Sequence, residues 1–198
     1  QRGAHPRIGA VDVVPFVPVR GVSMAECVQM ARTTGERIGG ELEIPVYLYE
    51  QAASAAHRRN LADIRQGEFE NLASKMQDPL WKPDFGPGKP HPSAGAVVIG
   101  ARTYLVAYNV YLGTKDIHIA KVIARALRYR DGGLANVKAL GMFIKERDMV
   151  QISMNLVDPF STPIYRVMEA VRSEAARYGV PVVESELIGL LPLEALVE

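Results

Sequence analysis

Cysteine is almost missing from this chain. Cys27 stands alone, so no intramolecular disulfide can form, and a reducing cytoplasm is the compartment expected. An excess of one charge is missing too. The formal net charge is +1, which argues against a nucleic-acid partner, whose contact surface is normally strongly basic. No apolar run reaches the roughly 18–20 residues that a membrane-spanning helix needs. No charged-then-apolar leader follows Gln1, so neither membrane insertion nor export is expected. The four histidines and Cys27 show no metal-ligand spacing, and no metal site is expected. Hydrophobic residues make up 48 % of the 198, enough for one large domain or two small ones.

Local patterning then gives an order of elements. Residues 10–19 read as a strand carrying Pro15 and Pro18, which points to an edge or a bulge. Ser23 and Glu26 form a capping box ahead of Cys27, Met30, Ala31, Thr34 and Ile38 at helical spacing, and Gly39-Gly40 is expected to end that helix. A strand over 44–49 comes next. Residues 51–77 read as helix broken at Asn60 and Gly67, and five prolines over 78–93 make a loop. A strand over 95–101 closes the first half. The second half is more regular: a strand over 104–112, a helix capped by Thr114, and two strands meeting at a turn near Glu146-Arg147-Asp148. A helix opened by Thr162-Pro163, a strand over 182–187 and a short terminal helix from Pro192 complete it.

The second half is thus βαββαβ, an antiparallel-rich sheet with helices on one face. The first half reads as a similar unit lacking its opening strand and helix. The expected fold class is α+β with two ferredoxin-like subdomains, residues 1–102 (incomplete at its start) and 103–198. An RNA-recognition module of the same topology is disfavoured, because Leu140-Gly141-Met142-Phe143-Ile144 lacks the flanking aromatics of the base-stacking signature.

One residue stands out chemically. His5 is held between Gly3 and Gly9 and followed by Pro6, in a loop that feeds a hydrophobic strand. Proline biases His5 toward an extended backbone, and an imidazole takes and returns protons near neutrality. Asp12 on the following strand either orients that imidazole or holds backbone amides. Arg7 and Arg20 are candidates for contacts with anionic substrates, and Lys89 and His91 in the proline-rich loop could meet carboxylates.

The run His5-Pro6-Arg7-Ile8-Gly9-Ala10-Val11-Asp12-Val13-Val14-Pro15-Phe16-Val17-Pro18-Val19-Arg20-Gly21 resembles the formiminotransferase domain of the formiminotransferase-cyclodeaminase family. The similarity continues through Pro45-Val46-Tyr47-Leu48-Tyr49, Trp81-Lys82-Pro83-Asp84-Phe85-Gly86-Pro87 and Gly100-Ala101-Arg102. It extends to Asn109, Gln151-Ile152-Ser153-Met154-Asn155-Leu156 and Leu187-Ile188-Gly189-Leu190-Leu191-Pro192.

The resemblance implies two α/β subdomains with a ligand cleft between them. It implies transfer of a formimidoyl group from N-formimidoyl-L-glutamate to tetrahydrofolate, which acts as co-substrate in histidine breakdown. His5 falls on the family's catalytic histidine, as general base and then acid. Gly86, Pro87, Gly88, Lys89, Pro90, His91, Pro92, Ser93, Ala94 and Gly95 fall on its folate-contacting loop. Against the family pattern this sequence lacks an opening strand and helix, so a homodimer or a second chain supplying that segment is a possible partner. No cyclodeaminase activity is expected. A glutamate/folate formyltransferase, and a non-catalytic or partner-dependent fragment, are the alternatives.

Overall fold

The computed structural model describes residues 6–197. The chain divides into two compact units, Gln1–Arg102 and Thr103–Glu198.

In the first unit the described elements run β1 (Asp12–Phe16), α1 (Met24–Glu41), β2 (Val46–Glu50), α2 (Leu61–Ile64), α3 (Leu72–Lys75) and β3 (Val97–Ala101). The sheet order is β1-β3-β2, and both pairings are parallel. This departs from a simple likeness to the second unit. Here α1 carries the chain back between β1 and β2, the crossover that parallel strands require, and β3 then enters between them.

Strands buried on both faces need continuous apolar runs rather than alternation, which Val46-Tyr47-Leu48-Tyr49 and Val97-Val98-Ile99 supply. Leu48, Val97 and Ile99 pack with Ala31, Val28 and Phe85. Tyr47, Tyr49 and Val98 pack on the other side with Ile8, Ile64, Leu72 and Met76.

Helix α1 starts where expected. The Ser23 hydroxyl accepts from the Glu26 N–H, and the Glu26 carboxylate accepts from the Ser23 N–H. It does not stop at Gly39-Gly40 but continues to Glu41. Gly39 serves packing instead: a Cβ there would lie 2.6 Å from the Gly86 nitrogen.

The segment 51–96 contains no long helix. Asn60 caps α2 through the Ala62 N–H, and Gly67 turns the chain at φ +89°. Within the expected proline loop, Pro79–Trp81 forms a single 3₁₀ turn capped by Asp78.

Polar pins hold this segment. Asp84 accepts from the Leu48 N–H at 2.7 Å, along the edge of β2 that Phe85 and Arg59 also cover through their carbonyls, and pairs with the buried Arg58 at 2.9 Å. Arg58 also donates to the carbonyls of Leu80 and Lys82. His57 lies 3.0 Å from the Leu80 carbonyl and edge-on to Trp81. The Lys75 ammonium donates to the carbonyls of Asp63, Ile64 and Gln66 and sits 3.7 Å over the Trp81 ring.

The second unit comprises β4 (Val106–Leu112), α4 (Ile117–Leu127), β5 (Val137–Ile144), β6 (Met149–Leu156), α5 (Ile164–Ala176), β7 (Val182–Ile188) and α6 (Glu194–Val197). Its order is β5-β6-β4-β7, antiparallel throughout. Val106, Tyr108, Val110 and Leu112 alternate toward one face, as do Val150, Ile152, Met154 and Leu156. They meet Ala120, Ile123, Ala124 and Leu127 of α4 and Val167, Val171 and Ala175 of α5. The cap of α4 is Asp116, which accepts from the His118 N–H; Thr114 accepts from Asp116 one step earlier. Pro163 sits at the cap of α5 rather than inside it. The β5–β6 turn closes on Asp148 in the left-handed conformation, φ +53°. Among the described residues no helix is long and apolar enough to cross a membrane.

Candidate functional site

His5 lies outside the described residues. The described residues begin just after it, at Pro6. Ile8 is buried, and its N–H donates to Asp12 Oδ1 at 2.8 Å. The other Asp12 oxygen pairs with Arg65, while Asp12 itself takes a left-handed backbone, φ +64°. The described contacts therefore give Asp12 the amide-holding role. Among the described residues Arg65 Nε is buried without an acceptor.

Arg7 is paired with Glu68 at 3.1 Å and Glu70 at 2.9 Å, and its hydrogen bond to Glu70 raises its already high pKa further. A guanidinium matched this way is a brace between residues 7 and 68–70 before it is an anion receptor. Arg20 is exposed.

The loop over 86–95 is anchored at both ends by glycines that no other residue could replace without movement. At its start, Gly86 has φ +81°, and a Cβ there would lie 2.6 Å from the Ile44 carbonyl oxygen. At its end, Gly95 has φ +72°, and a Cβ would meet the Ile8 carbonyl oxygen at 2.4 Å. Between them the loop closes on itself. The His91 and Gly95 backbones exchange N–H···O bonds of 2.8 and 2.9 Å. His91 Nδ1 accepts from the backbone N–H of Ala94 at 3.1 Å and of Ser93 at 3.3 Å. An acceptor Nδ1 has no hydrogen of its own, so the ring hydrogen sits on Nε2. His91 is thus a built-in turn cap, and Lys89 is exposed. Gly88 is free of neighbours: nothing lies within 4 Å of a Cβ placed there.

The decisive contact joins this loop to the histidine-bearing segment. Ala10 N–H donates to the Ala94 carbonyl at 3.0 Å, and Ala96 N–H to the Ile8 carbonyl at 3.1 Å. Gly9 and Gly95 face each other across this bridge, and a Cβ on Gly9 would lie 2.0 Å from the Ala96 oxygen. Two segments some 85 residues apart (Gly9 and Gly95 differ by 86 positions) are locked backbone to backbone.

A second polar centre, which sequence reading missed, lies in the C-terminal unit. Glu186 on β7 is opposite Asn109 on β4, and Gln151 on β6 is opposite Tyr111. All four share the sheet face turned away from the apolar stripe. Asn109, Tyr111 and Gln151 all donate to Glu186 Oε1, at 3.1, 2.8 and 3.3 Å. Tyr111 and Gln151 are almost wholly buried, at 4 % and 5 % exposure. The hydrogen bonds from Asn109 and Tyr111 hold the Glu186 carboxyl below its usual range, against the opposing effect of burial. Burial, and then the bond to Glu186, raise the Tyr111 phenol. Arg147 stacks over Tyr111 at 4.5 Å and pairs with Glu184. The signal available in sequence was polar alternation on three strands, Asn109/Tyr111, Gln151/Ser153 and Glu184/Glu186, but only the register brings them together.

Comparison with known proteins adds a second line. Residues 1–102 match the model for the formiminotransferase domain, N-terminal subdomain, and residues 107–198 match that for the formiminotransferase domain. The chain belongs to the formiminotransferase domain family. Within the family it is 54 % identical to a glutamate formimidoyltransferase of Thermoplasma acidophilum, over 100 % of this chain and 65 % of the relative. It is 45 % identical to one of Streptococcus pyogenes serotype M1, over 99 % of this chain and 66 % of the relative. A formimidoyltransferase-cyclodeaminase of Mus musculus is 46 % identical, with 37 % of its length covered. The chain thus spans just under two thirds of the first two relatives. Among the described residues no cluster of histidine, cysteine and carboxylate side chains is arranged to hold a metal.

Proposed function

We propose that this chain is part of a transferase that moves a formimidoyl group from N-formimidoyl-L-glutamate to tetrahydrofolate. His5 acts as the proton carrier, and residues 86–95 contact the folate. The observation that carries this reading is the backbone lock between residues 8–10 and 94–96. His5 is three residues upstream of Ile8, and three residues of chain reach at most about 11 Å. The candidate base and the candidate binding loop are therefore tied to one anchor. The match of both family models, and relatives named glutamate formimidoyltransferase, support the same reaction.

The chemistry suits a single imidazole. His5, neutral, takes the proton that the attacking folate amine sheds as it bonds to the amidine carbon. His5, now protonated, returns that proton to the glutamate nitrogen as its bond to the same carbon breaks. One proton is borrowed and returned, and the enzyme ends as it began. Asp12 contributes by fixing the Ile8 amide, three residues after His5 in the sequence. The loop suits a flat ligand with an acidic tail: its glycines allow close approach to backbone, and the exposed Lys89 is available to a carboxylate. A cytoplasmic enzyme working on small molecules, as monomer or as part of a larger assembly, fits this reading.

His5→Ala in the full-length protein should lower turnover by about 10²–10⁴-fold while leaving tetrahydrofolate affinity nearly unchanged. Steady-state kinetics with N-formimidoyl-L-glutamate, alongside equilibrium folate binding, reads both quantities. Undiminished turnover would remove His5 from the reaction.

A further inference from the structure

We propose that Glu186 is a ligand-binding residue: its free carboxylate oxygen, Oε2, accepts an N–H from an amidine-type nitrogen of a small molecule. This assignment rests on the transferase reading for its biological ligand, but not for the binding itself.

The geometry is asymmetric. Oε1 receives three donors, from Asn109, Tyr111 and Gln151. Among the described residues Oε2 accepts no hydrogen bond. With three donors on Oε1 and none among the described residues on Oε2, Oε2 is the acceptor of this group left for a donor from outside the fold. Arg147 adds to the field that favours the ionised Glu186, but the groups it pairs and stacks with are Glu184 and Tyr111.

Two polar side chains with more than nine tenths of their surface buried, Tyr111 and Gln151, point at the same oxygen. They fix the carboxylate plane and favour its ionised form. The result is a pre-oriented, negatively charged acceptor with one oxygen still open to a donor. Its partner must offer one N–H along one line, because Oε1 is already full and a two-pronged grip is closed off. A nitrogen attached to an amidine carbon fits, and its positive charge in a formamidinium strengthens the bond. The same N–C–N chemistry occurs in the formimidoyl donor and in the aminopyrimidinone ring of a folate, so the two must be separated by experiment.

The test uses the full chain with ¹³C-labelled tyrosine, because the Tyr111 hydroxyl touches Glu186. Formamidinium chloride and 2-amino-4-hydroxypyrimidine are titrated separately, with tetramethylammonium as a charge that carries no N–H. Saturable shift of the Tyr111 ring signal by formamidinium assigns Oε2 to the donor's amidine. The same response to the pyrimidine alone assigns it to the folate ring. In either case Glu186→Gln should weaken binding by about tenfold or more. Equal binding in wild type and Glu186→Gln, a response to tetramethylammonium equal to that to formamidinium, or no saturable response to either probe would overturn the proposal. Should Glu186→Gln not fold, the comparison of formamidinium with tetramethylammonium on wild-type protein decides alone. Failure here leaves the transferase reading standing, since that is tested by His5→Ala turnover.

Discussion

The two units of this chain are stabilised by different means. The C-terminal unit is held by alternation: eight side chains from β4 and β6 face the two helices in register, and every strand pair is antiparallel. The N-terminal unit holds three parallel strands, and the long segment between β2 and β3 is fastened by ions and carbonyls instead. Arg58–Asp84, Lys75 with three carbonyls, and Arg7 with Glu68 and Glu70 are its fasteners. A segment whose helices, α2 and α3, are only four residues long has few apolar stripes to bury, so its backbone carbonyls need side-chain donors. The lesson is that the unit carrying the candidate loop is the one whose shape depends on polar pairs.

That contrast can be broken most directly at Arg58. Arg58→Met strands Asp84 as a buried carboxylate and should cost about 3–5 kcal/mol. Hydrogen exchange at the Leu48 amide, whose acceptor is Asp84, is the sensitive readout. Undisturbed protection there would show that the apolar packing of β2 suffices. In the C-terminal unit the corresponding blow is a cavity. Ile152→Ala, at a fully buried position on β6, should cost about 2–5 kcal/mol, read as faster exchange across β4 and β6.

The smallest effect sharpens the contrast by pH. The Glu186 carboxyl titrates below its ordinary value of 4.5 in the folded unit, so its contribution is complete above that value and is lost as pH falls through the depressed one. Wild type and Glu186→Gln should therefore converge in stability as acidification passes below the ordinary value of 4.5. Acid denaturation midpoints of the two proteins measure this, and parallel curves throughout would contradict it.

Much of this was readable beforehand, for physical reasons that differ between the units. The capping box at Ser23, the helix that follows the 104–112 strand and the β5–β6 hairpin all rest on neighbours within a few residues, and all formed as expected. Two local readings moved. Gly39-Gly40 resembled a helix stop, but its meaning lay in Phe85 and Gly86, far away in sequence. Thr114 resembled the cap of α4, but Asp116 occupies the geometry. The parallel pairing of β1, β2 and β3 was not legible, because apolar runs do not say which edges meet. In the site, Asp12 was noticed, but its partner Arg65 was not, and nothing at Arg58, Lys75 or Glu186 announces a partner in a linear pattern. Long-range polar pairs carry no periodicity, and they are where reading from sequence stops.

The open space around Gly88 has a practical side. Both ends of its loop are wedged against carbonyl oxygens, at Ile44 and at Ile8, while the tip meets nothing within reach. A reporter dye attached through Gly88→Cys would ride on the tip without prying at either wedge. With Cys27 buried, the new thiol would be the accessible one for labelling, and its fluorescence would follow the loop during substrate capture.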